Sequence, residues 1–540
     1  MSGKIHVYQS IAQAVSDHGV DTMFGLMGDA NLFMVDHFVR ECGGRFVPVS
    51  HEGSCVLMAL AYAHVAGKVG VATVTHGPAL TNCVTALTEA ARGHIPVVLL
   101  AGDTPVVNPR HPQSIDQREV VKATGAGFEQ VRAPNTVGAD IARAFYRARV
   151  ERRPIVLNMP ADYMWQDINH EVRVLDVFSA PGGVAEGDIL DEAIGMIASA
   201  RRPLILAGAG AVAARDKIIK LADRLEAPLA TTLKAKGLFT GHPYDMDIFG
   251  TLSTQAAYDL IAKTDCIICF GAGLNDLTTD RGKLTKDKRI VQIDIEPTAI
   301  GGGVHPDAAL LADAGLTADT ILYWLDEAEI APSGFTRELD TATLRLHPIG
   351  PDKTADGCVN YVQALERLEE ALPRNRVLVT DGGRFMTEVW CRITAPDPQS
   401  FVVTANFGSI GLGLQEAIGA GVAAPDRPVV LFTGDGGFMM GGLNEFNTAV
   451  RLGLDLIVIV ANDSAYGAEH IQFMDRQMDP SLTQFDWPSF AEVATALGGQ
   501  GIMVTSMTEL DAALKGLEQR DRPVLIELRL DPNDVPRMRI

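Results

Sequence analysis

The chain has 540 residues, with 46 Lys or Arg against 67 Asp or Glu, a formal charge of −21. So acidic a chain carries no nucleic-acid footprint and is repelled by anionic lipid, so an anionic ligand must be held by local devices such as backbone amides or a metal. The first residues, MSGKIHVYQSIAQAV, lack the apolar core and cleavage site of a signal peptide. No window approaches the roughly eighteen apolar residues of a membrane span, and seven scattered cysteines suit a reducing compartment. The expectation is a soluble, cytoplasmic protein with neither a nucleic-acid nor a membrane partner.

Low aromatic content (6%) beside 47% hydrophobic residues and 52 glycines suits layered α/β domains, in which small residues let helices lie close on sheets. Strand-like runs alternate with helical periodicity along most of the chain, which predicts crossover connections and mostly parallel sheets. RFVPVS, VGVATVT, IPVVLLAG and RPIVLNMP read as strands of a first unit. The stretch 176–188, DVFSAPGGVAEGD, reads as a linker. RPLILAGAG, APLATTL, DCIICFGAG and RIVQIDIEP form a second unit, and an irregular polar region near 330–357 follows it. VLVTDGG, FVVTAN, PVVLFTGDGG, LDLIVIVAND and PVLIELRL form a third. The expected fold class is α/β with three doubly wound parallel-sheet domains: 1–175, 189–330 and 355–540.

Two sequence features of the second unit read as structural. Cys266 and Cys269 form a C-x-x-C inside a strand-like run, with no second ligand pair at zinc spacing. Gly208, Gly210 and Ala213 fit the loose G-x-G-x-x-A dinucleotide pattern, but the next strand ends ATTLKAKG with no acid for a ribose. A tight strand-to-helix turn accounts for them, and a flavin or nicotinamide site there is disfavoured.

The glycine loop at Gly434, Gly436 and Gly437 differs because it carries acids. Asp435 ends VVLFT and Asp463 ends LIVIVAN, with one crossover helix's length between. Strands so connected can be neighbours, and both carboxylates then face one cleft beyond the strand ends, beside free amides. Two hard oxygen ligands plus phosphate oxygens suit Mg²⁺. By spacing alone a metal–diphosphate site and an ordinary turn are both open.

GDGGFMMGGLNEFNTAVRLGLDLIVIVANDSAYG resembles the diphosphate-binding motif of thiamine-diphosphate-dependent enzymes. FGLMGDANLFMVDHF, VSHEGSCVLMALAYAHVAGKVGVATVTHGPALTN and IPVVLLAGDTP resemble that family's pyrimidine-binding domain, and FGSIGLGLQEAIGAGVAAPDRPVV resembles the segment leading into the diphosphate motif. The likeness spans nearly the whole chain and points to the branch of pyruvate decarboxylase, benzoylformate decarboxylase and acetolactate synthase. It implies a pyrimidine-binding, a central and a diphosphate-binding domain, with thiamine diphosphate and Mg²⁺ as cofactors.

The resemblance also implies roles. Glu52 matches the glutamate that hydrogen-bonds the aminopyrimidine and so activates the cofactor. Gly408 is expected to offer its carbonyl to the 4′-amino group, and Ile410 to be the wedge that bends the cofactor. Asp435, Asp463 and the backbone oxygen of Ala465 are the expected metal ligands; Asp463 stands where the family more often has Asn. Pro78, Asn82, Gly382, Gly383, Tyr466 and Gly467 complete the expected cofactor shell. Two cofactor-binding domains drawn from different subunits imply a homodimer at least, and commonly a tetramer.

For the reaction, GDAN places Asp29 where pyruvate-type decarboxylases have a catalytic aspartate, and Glu469 aligns with a glutamate that follows their diphosphate motif. Their paired histidines correspond to His111 and Pro112, so one is kept. His76 in THGPALTN replaces the serine usual in the synthases and puts a titratable imidazole beside the expected reacting centre. Gln117 echoes a synthase glutamine, but the basic residue that follows in that family is missing. Read without the resemblance, Asp29 also suits a helix cap, His111 a solvated loop and Glu469 a surface helix. The expected activity is non-oxidative decarboxylation of a 2-oxo acid, with carboligation to an aldehyde open; an acetolactate-synthase-like carboligase or C–C lyase is the alternative.

Overall fold

The computed structural model describes residues 4–108, 110–175, 183–350 and 354–534. Of the expected linker, 176–182 lie outside the described residues and 183–187 carry no helix or strand. Three six-stranded sheets follow one another along the chain, every neighbouring pair of strands parallel. The first runs Arg45–Pro48, Thr22–Gly25, Gly70–Val74, Val97–Asp103, Ile155–Pro160, Gly127–Gln130. The second runs Asp245–Ile248, Leu229–Thr231, Pro203–Ala207, Cys266–Phe270, Arg289–Asp294, Ala308–Leu311. The third runs Phe401–Val403, Val377–Thr380, Val429–Gly434, Leu456–Asn462, Val524–Arg529, Gln500–Val504. Central strands such as Leu456–Asn462 are buried throughout, as continuous apolar runs covered by helices on both faces must be.

Five sheet strands carry no clear sequence signal. Gly127–Gln130, Asp245–Ile248, Ala308–Leu311 and Gln500–Val504 are sheet edges, where one side meets less of the core and the apolar run is broken. Thr22–Gly25 is interior but only 4 residues long. A separate antiparallel pair, Lys4–His6 with Asp167–Asn169, ties the start of the first unit to its end.

In each sheet the first long crossover reverses direction at one point, and the cleft at such a switch point, beyond the carboxyl ends, is where an open α/β sheet accepts ligands. In the first sheet that point lies between Thr22–Gly25 and Gly70–Val74, in the second between Pro203–Ala207 and Cys266–Phe270, and in the third between Val377–Thr380 and Val429–Gly434. The second is filled by protein. A Cβ on Gly208 would lie 2.0 Å from the carbonyl oxygen of Gly271, and one on Gly210 3.0 Å from its Cα. The glycines there serve the approach of two turns. Cys266 and Cys269 sit in separate hydrophobic clusters on opposite faces of that sheet, and burial pushes the Cys266 thiol up to about 12.

The first and third units share one hydrophobic core, while the second has two of its own and adds Ile248 to a cluster of the third. Helix Glu52–Ala66 is buried from Gly53 to Ala63, a helix sandwiched on all sides. It crosses helix Gly413–Ala423 so closely that a Cβ on Gly419 would lie 2.1 Å from the carbonyl oxygen of Met58.

Candidate active site

Beside the third sheet's switch point, Val429–Gly434 pairs on its other edge with Leu456–Asn462, Gly434 lying opposite Ala461. Asp435 and Asp463 therefore leave neighbouring strands together. Asp435 opens a run of helical turns, Asp435–Gly437, Phe438–Gly442 and Leu443–Arg451, whose middle turn widens to the π form. That widening accommodates the loop before Gly413–Ala423: a Cβ on Gly441 would lie 1.9 Å from the carbonyl oxygen of Gly411. Asn462 turns inward, donating to Glu527 and accepting from Ser464 N at 2.9 Å. With Ser464 at φ 53°, the turn directs Asp463 into the cleft.

Both acids are buried and both are held far above the usual carboxylate range. Burial, then the charge of Asp463, lifts Asp435 to about 7 against hydrogen bonds from Gly436 N and Trp487 Nε1. Burial lifts Asp463 to about 6 against the Ala465 amide and the charge of Arg384. Two buried carboxylates that resist ionisation side by side fit a site completed by a cation, which would remove both penalties. Among the described residues no cluster of three or more His, Cys, Asp or Glu has metal-holding geometry; two carboxylates plus backbone and ligand oxygens are a hard-cation set.

The acids open on a cavity of about 160 Å³ lined also by Gly382, Gly383, Arg384, Ile410, Gly434, Gly436, Gly437, Ala465, Tyr466, Gly467 and Glu469. Tyr466 lies over Gly436, whose Cβ would come within 3.0 Å of the ring. Asp381, buried below the cavity floor, accepts from Gly411 N at 3.0 Å and Thr433 Oγ1 at 3.0 Å, fixing the loop that carries Ile410. Gly408 and Gly411 take left-handed φ values of 79° and 81°, which glycine adopts without strain.

Ile410 also lines a second cavity, of about 340 Å³, at the junction of the first and third units with His51, Asn82, Ser409 and Met440. Glu52 begins helix Glu52–Ala66, capped by His51, whose Nδ1 accepts from Gly53 N at 3.1 Å. A carboxylate is favoured at a helix N-terminus. Asn82 Nδ2 donates to Glu52 Oε2 at 2.9 Å, so Asn82, just after the turn Pro78–Thr81, orients the glutamate. Glu445 from the third unit accepts from Ser50 N at 2.9 Å and His51 N at 3.2 Å. Glu89 accepts in return from Asn406 N at 3.0 Å and Phe407 N at 2.7 Å, bracing the loop that carries Gly408. Neither glutamate has a sequence signal for this role, because the backbone amides it braces lie hundreds of residues away.

At the first sheet's switch point Asp29 and His76 face each other. His76 Nε2 is 3.4 Å from Asp29 Oδ1, with His76 buried and Asp29 exposed. Asp29 Oδ1 also accepts from Thr75 Oγ1 at 3.0 Å. The His111 ring packs edge-on against His76 at 5.2 Å between centroids. His111, the one kept of the two positions expected in that loop, therefore meets a second imidazole from another loop, His76. Gln117, the synthase-like glutamine, is buried; its Oε1 accepts from Gly77 N at 2.8 Å, and its Nε2 donates to Gly102 O at 3.0 Å and Asn158 Oδ1 at 2.9 Å. It holds the His76 turn from below. Asp29, His76 and His111 thus come together, while Glu469 stands apart in the third unit's cavity with Asp435 and Asp463.

Family models match the chain in three places: the N-terminal TPP binding domain of thiamine pyrophosphate enzymes over residues 5–120, their central domain over 190–321 and their C-terminal TPP binding domain over 381–528. A sulfoacetaldehyde acetyltransferase of Alcaligenes xylosoxydans xylosoxydans is 30% identical, over 92% of this chain and 88% of that protein. An acetolactate synthase large subunit of Parasynechococcus marenigrum is 29% identical over 96% and 87%. A probable 2-ketoarginine decarboxylase of Pseudomonas aeruginosa is 28% identical over 96% and 93%. With three parallel α/β units in the matching order, the chain belongs to the thiamine-pyrophosphate-dependent enzyme family.

Proposed function

We propose that the protein is a Mg²⁺- and thiamine-diphosphate-dependent 2-oxo acid decarboxylase, releasing an aldehyde and open to carboligation with a second aldehyde. The observation that supports it most is the meeting of Asp29, His76 and His111 at one strand-end cleft. Decarboxylation to an aldehyde requires a proton delivered to carbon, and this cluster offers an exposed carboxyl group backed by imidazole. The competing synthase-like reading is weakened by Gln117, whose side-chain amide is spent on Gly77, Gly102 and Asn158.

Bound in the third unit's cavity, thiamine diphosphate supplies a carbon nucleophile and an electron sink next to the substrate carbonyl. Asp435, Asp463 and the Ala465 carbonyl would hold Mg²⁺, and the amides of Gly436 and Gly437 the diphosphate. Gly408 and Ile410 would set the cofactor's bend, and Glu52, oriented by Asn82, would hold the proton at the aminopyrimidine nitrogen. Asp29 would exchange a proton with substrate and His76 restore it, and His111 and Glu469 are the further candidates for moving protons there. The acid cavity is lined by the third unit alone, which suits an assembly of at least two copies, with a homotetramer expected, each completing the other's site. Cytoplasmic localisation belongs to the same reading.

Incubation with a panel of 2-oxo acids, thiamine diphosphate and Mg²⁺ tests it, following CO₂, free aldehyde and acyloin. Carbon dioxide with free aldehyde is the expected result. Acyloin or acyl-transfer product without free aldehyde moves the protein to the acetolactate-synthase-like class.

A further inference from the structure

His76 is the buried member of the cluster it forms with Asp29 and His111, and its Nδ1 has no hydrogen-bond partner among the described residues. The aim of the imidazole therefore depends on the turn that carries it. That turn is a demanding one. Gly77 has φ 60° and ψ −109°, and a Cβ there would lie 2.2 Å from the carbonyl oxygen of Gln113.

The turn is held by a chain of side chains that spans the ends of three neighbouring strands. Gly77 N donates to Gln117 Oε1 at 2.8 Å, Gln117 Nε2 to Asn158 Oδ1 at 2.9 Å, and Asn158 Nδ2 to Asp103 Oδ2 at 3.0 Å. Asp103 Oδ1 accepts from Thr104 N at 2.8 Å. Gln117 and Asn158 are buried, and Asp103 is the last residue of Val97–Asp103. Strand register brings these groups together: Val74 lies opposite Ala101 and Ala101 opposite Asn158. A Cβ on Gly102 would lie 3.3 Å from His76 N. The direction of the chain is fixed at both ends, because a backbone N–H only donates and an ionised carboxylate only accepts. Both amides are thereby oriented, oxygen toward Gly77 and nitrogen toward Asp103. Burial raises the Asp103 pKa, opposed by its two donors and the charge of His76.

We propose that Asp103 is a positioning residue of the proton-transfer cluster, acting on His76 through Asn158, Gln117 and Gly77. Its effect on rate rests on the decarboxylase reading; the hydrogen-bond chain does not. Asp103→Asn leaves one acceptor where two donors arrive. Turned to Thr104, the new amide sets one NH₂ against that of Asn158. Turned to Asn158, it orphans Thr104 N, beside the Gly102 carbonyl that also accepts from Gln117 at 3.0 Å. Asn158→Asp sets a second carboxylate against Asp103. The transposed pair, Asp103→Asn with Asn158→Asp, has a partner for every group. The amide at 103 then accepts from Thr104 N and donates to the carboxylate at 158, which still accepts from Gln117 Nε2.

Hydrogen exchange read by mass spectrometry on the full-length protein reports the Gly77 amide. Steady-state kinetics on the best 2-oxo acid reports the cluster, with thiamine diphosphate affinity titrated separately. Each single substitution should speed exchange in the peptide carrying Gly77 by about tenfold and lower kcat by about tenfold, the scale of one lost buried hydrogen bond, with cofactor affinity unchanged. The transposed pair should bring both quantities back to within about threefold of the native protein. That recovery separates a directional chain from a cleft that any substitution loosens. Single variants indistinguishable from native protein, or a transposed pair no better than the worse single, overturn the proposal. Native protein that releases no aldehyde from any 2-oxo acid overturns the proposed function instead, and exchange at Gly77 then decides the chain alone.

Discussion

Asp435 and Asp463 follow directly on neighbouring parallel strands, one residue beyond Gly434 and two beyond its register partner Ala461, and their carboxyl groups are held at about 7 and about 6. The ordinary value is 3.8. In the metal-free protein the folded state therefore keeps protons that the unfolded chain has released. Stability from this pair is present at low pH and declines as pH rises through 6 and 7, because the unfolded state then binds fewer protons than the native one. A divalent cation competes with those protons, so its affinity must rise across the same window. Thermal unfolding with and without Mg²⁺ should show a small shift near about pH 5 and a shift several times larger near about pH 8. A shift that is flat in pH would mean the two acids are not the ligands.

The same pair makes opposite predictions for two substitutions. Asp435→Ala removes a carboxylate at the start of the glycine turn and should abolish thiamine diphosphate binding at millimolar Mg²⁺. Asp463→Asn keeps an oxygen ligand in the same place and relieves the repulsion on Asp435. It should retain cofactor binding and raise the melting temperature of the metal-free protein, by about 1 kcal/mol of stability. Calorimetric titration and thermal unfolding measure both effects, and preserved binding in Asp435→Ala would refute the assignment.

Asp29 is exposed and His76 buried beside it, which gives them different predicted phenotypes. Asp29→Asn keeps the hydrogen bond from Thr75 but removes the acid. It should lower kcat on the best 2-oxo acid by about 100-fold, the usual scale for a general acid, with thiamine diphosphate affinity unchanged. His76→Asn leaves Asp29 in place without its imidazole, so the loss should be smaller. The double variant should then be no worse than Asp29→Asn alone, since His76 acts through Asp29. Steady-state kinetics with separate cofactor titration distinguishes this from a cleft that has merely loosened.

Much of this site is legible in the sequence because strands end in chemistry. VVLFTGDGG and LIVIVAND are continuous apolar runs of central strands, and the residues after them must lie at the cleft. The edge strand Asp245–Ile248 gives no such signal for the converse reason: it is four residues long and Asp245 and Asp247 interrupt its apolar pattern. The partners of Glu89 and Glu445 could not be read either: each is a lone acid on a helix whose hydrogen bonds cross from one unit to another. Arg384 escaped notice because its neighbour Asp463 is 79 positions away in sequence and is met only through the order of strands. The meeting of His76 with His111 has the same cause, being decided by which loops share a switch point.

Glu416 offers a test of how the first and third units are joined. It lies on Gly413–Ala423, the helix that crosses Glu52–Ala66, and is fully buried. Neither carboxyl oxygen has a hydrogen-bond partner among the described residues. Burial, followed by the charges of Glu89 and Asp381, holds its pKa well above the ordinary carboxylate range. An unpartnered buried carboxyl costs free energy that no contact here offsets. Glu416→Met keeps the length and volume of the side chain and removes the polar atoms. It should stabilise the protein by about 1–3 kcal/mol in urea unfolding, with the gain growing as pH rises, since the native state must keep a proton that the unfolded state gives up. Glu89 also feels the change, because a neutral neighbour no longer threatens ionisation beside it, and the Gly408 loop that it braces should keep its cofactor affinity. A loss of stability in Glu416→Met would instead mean that the carboxyl group is held by a polar partner, such as a buried water, that methionine cannot replace.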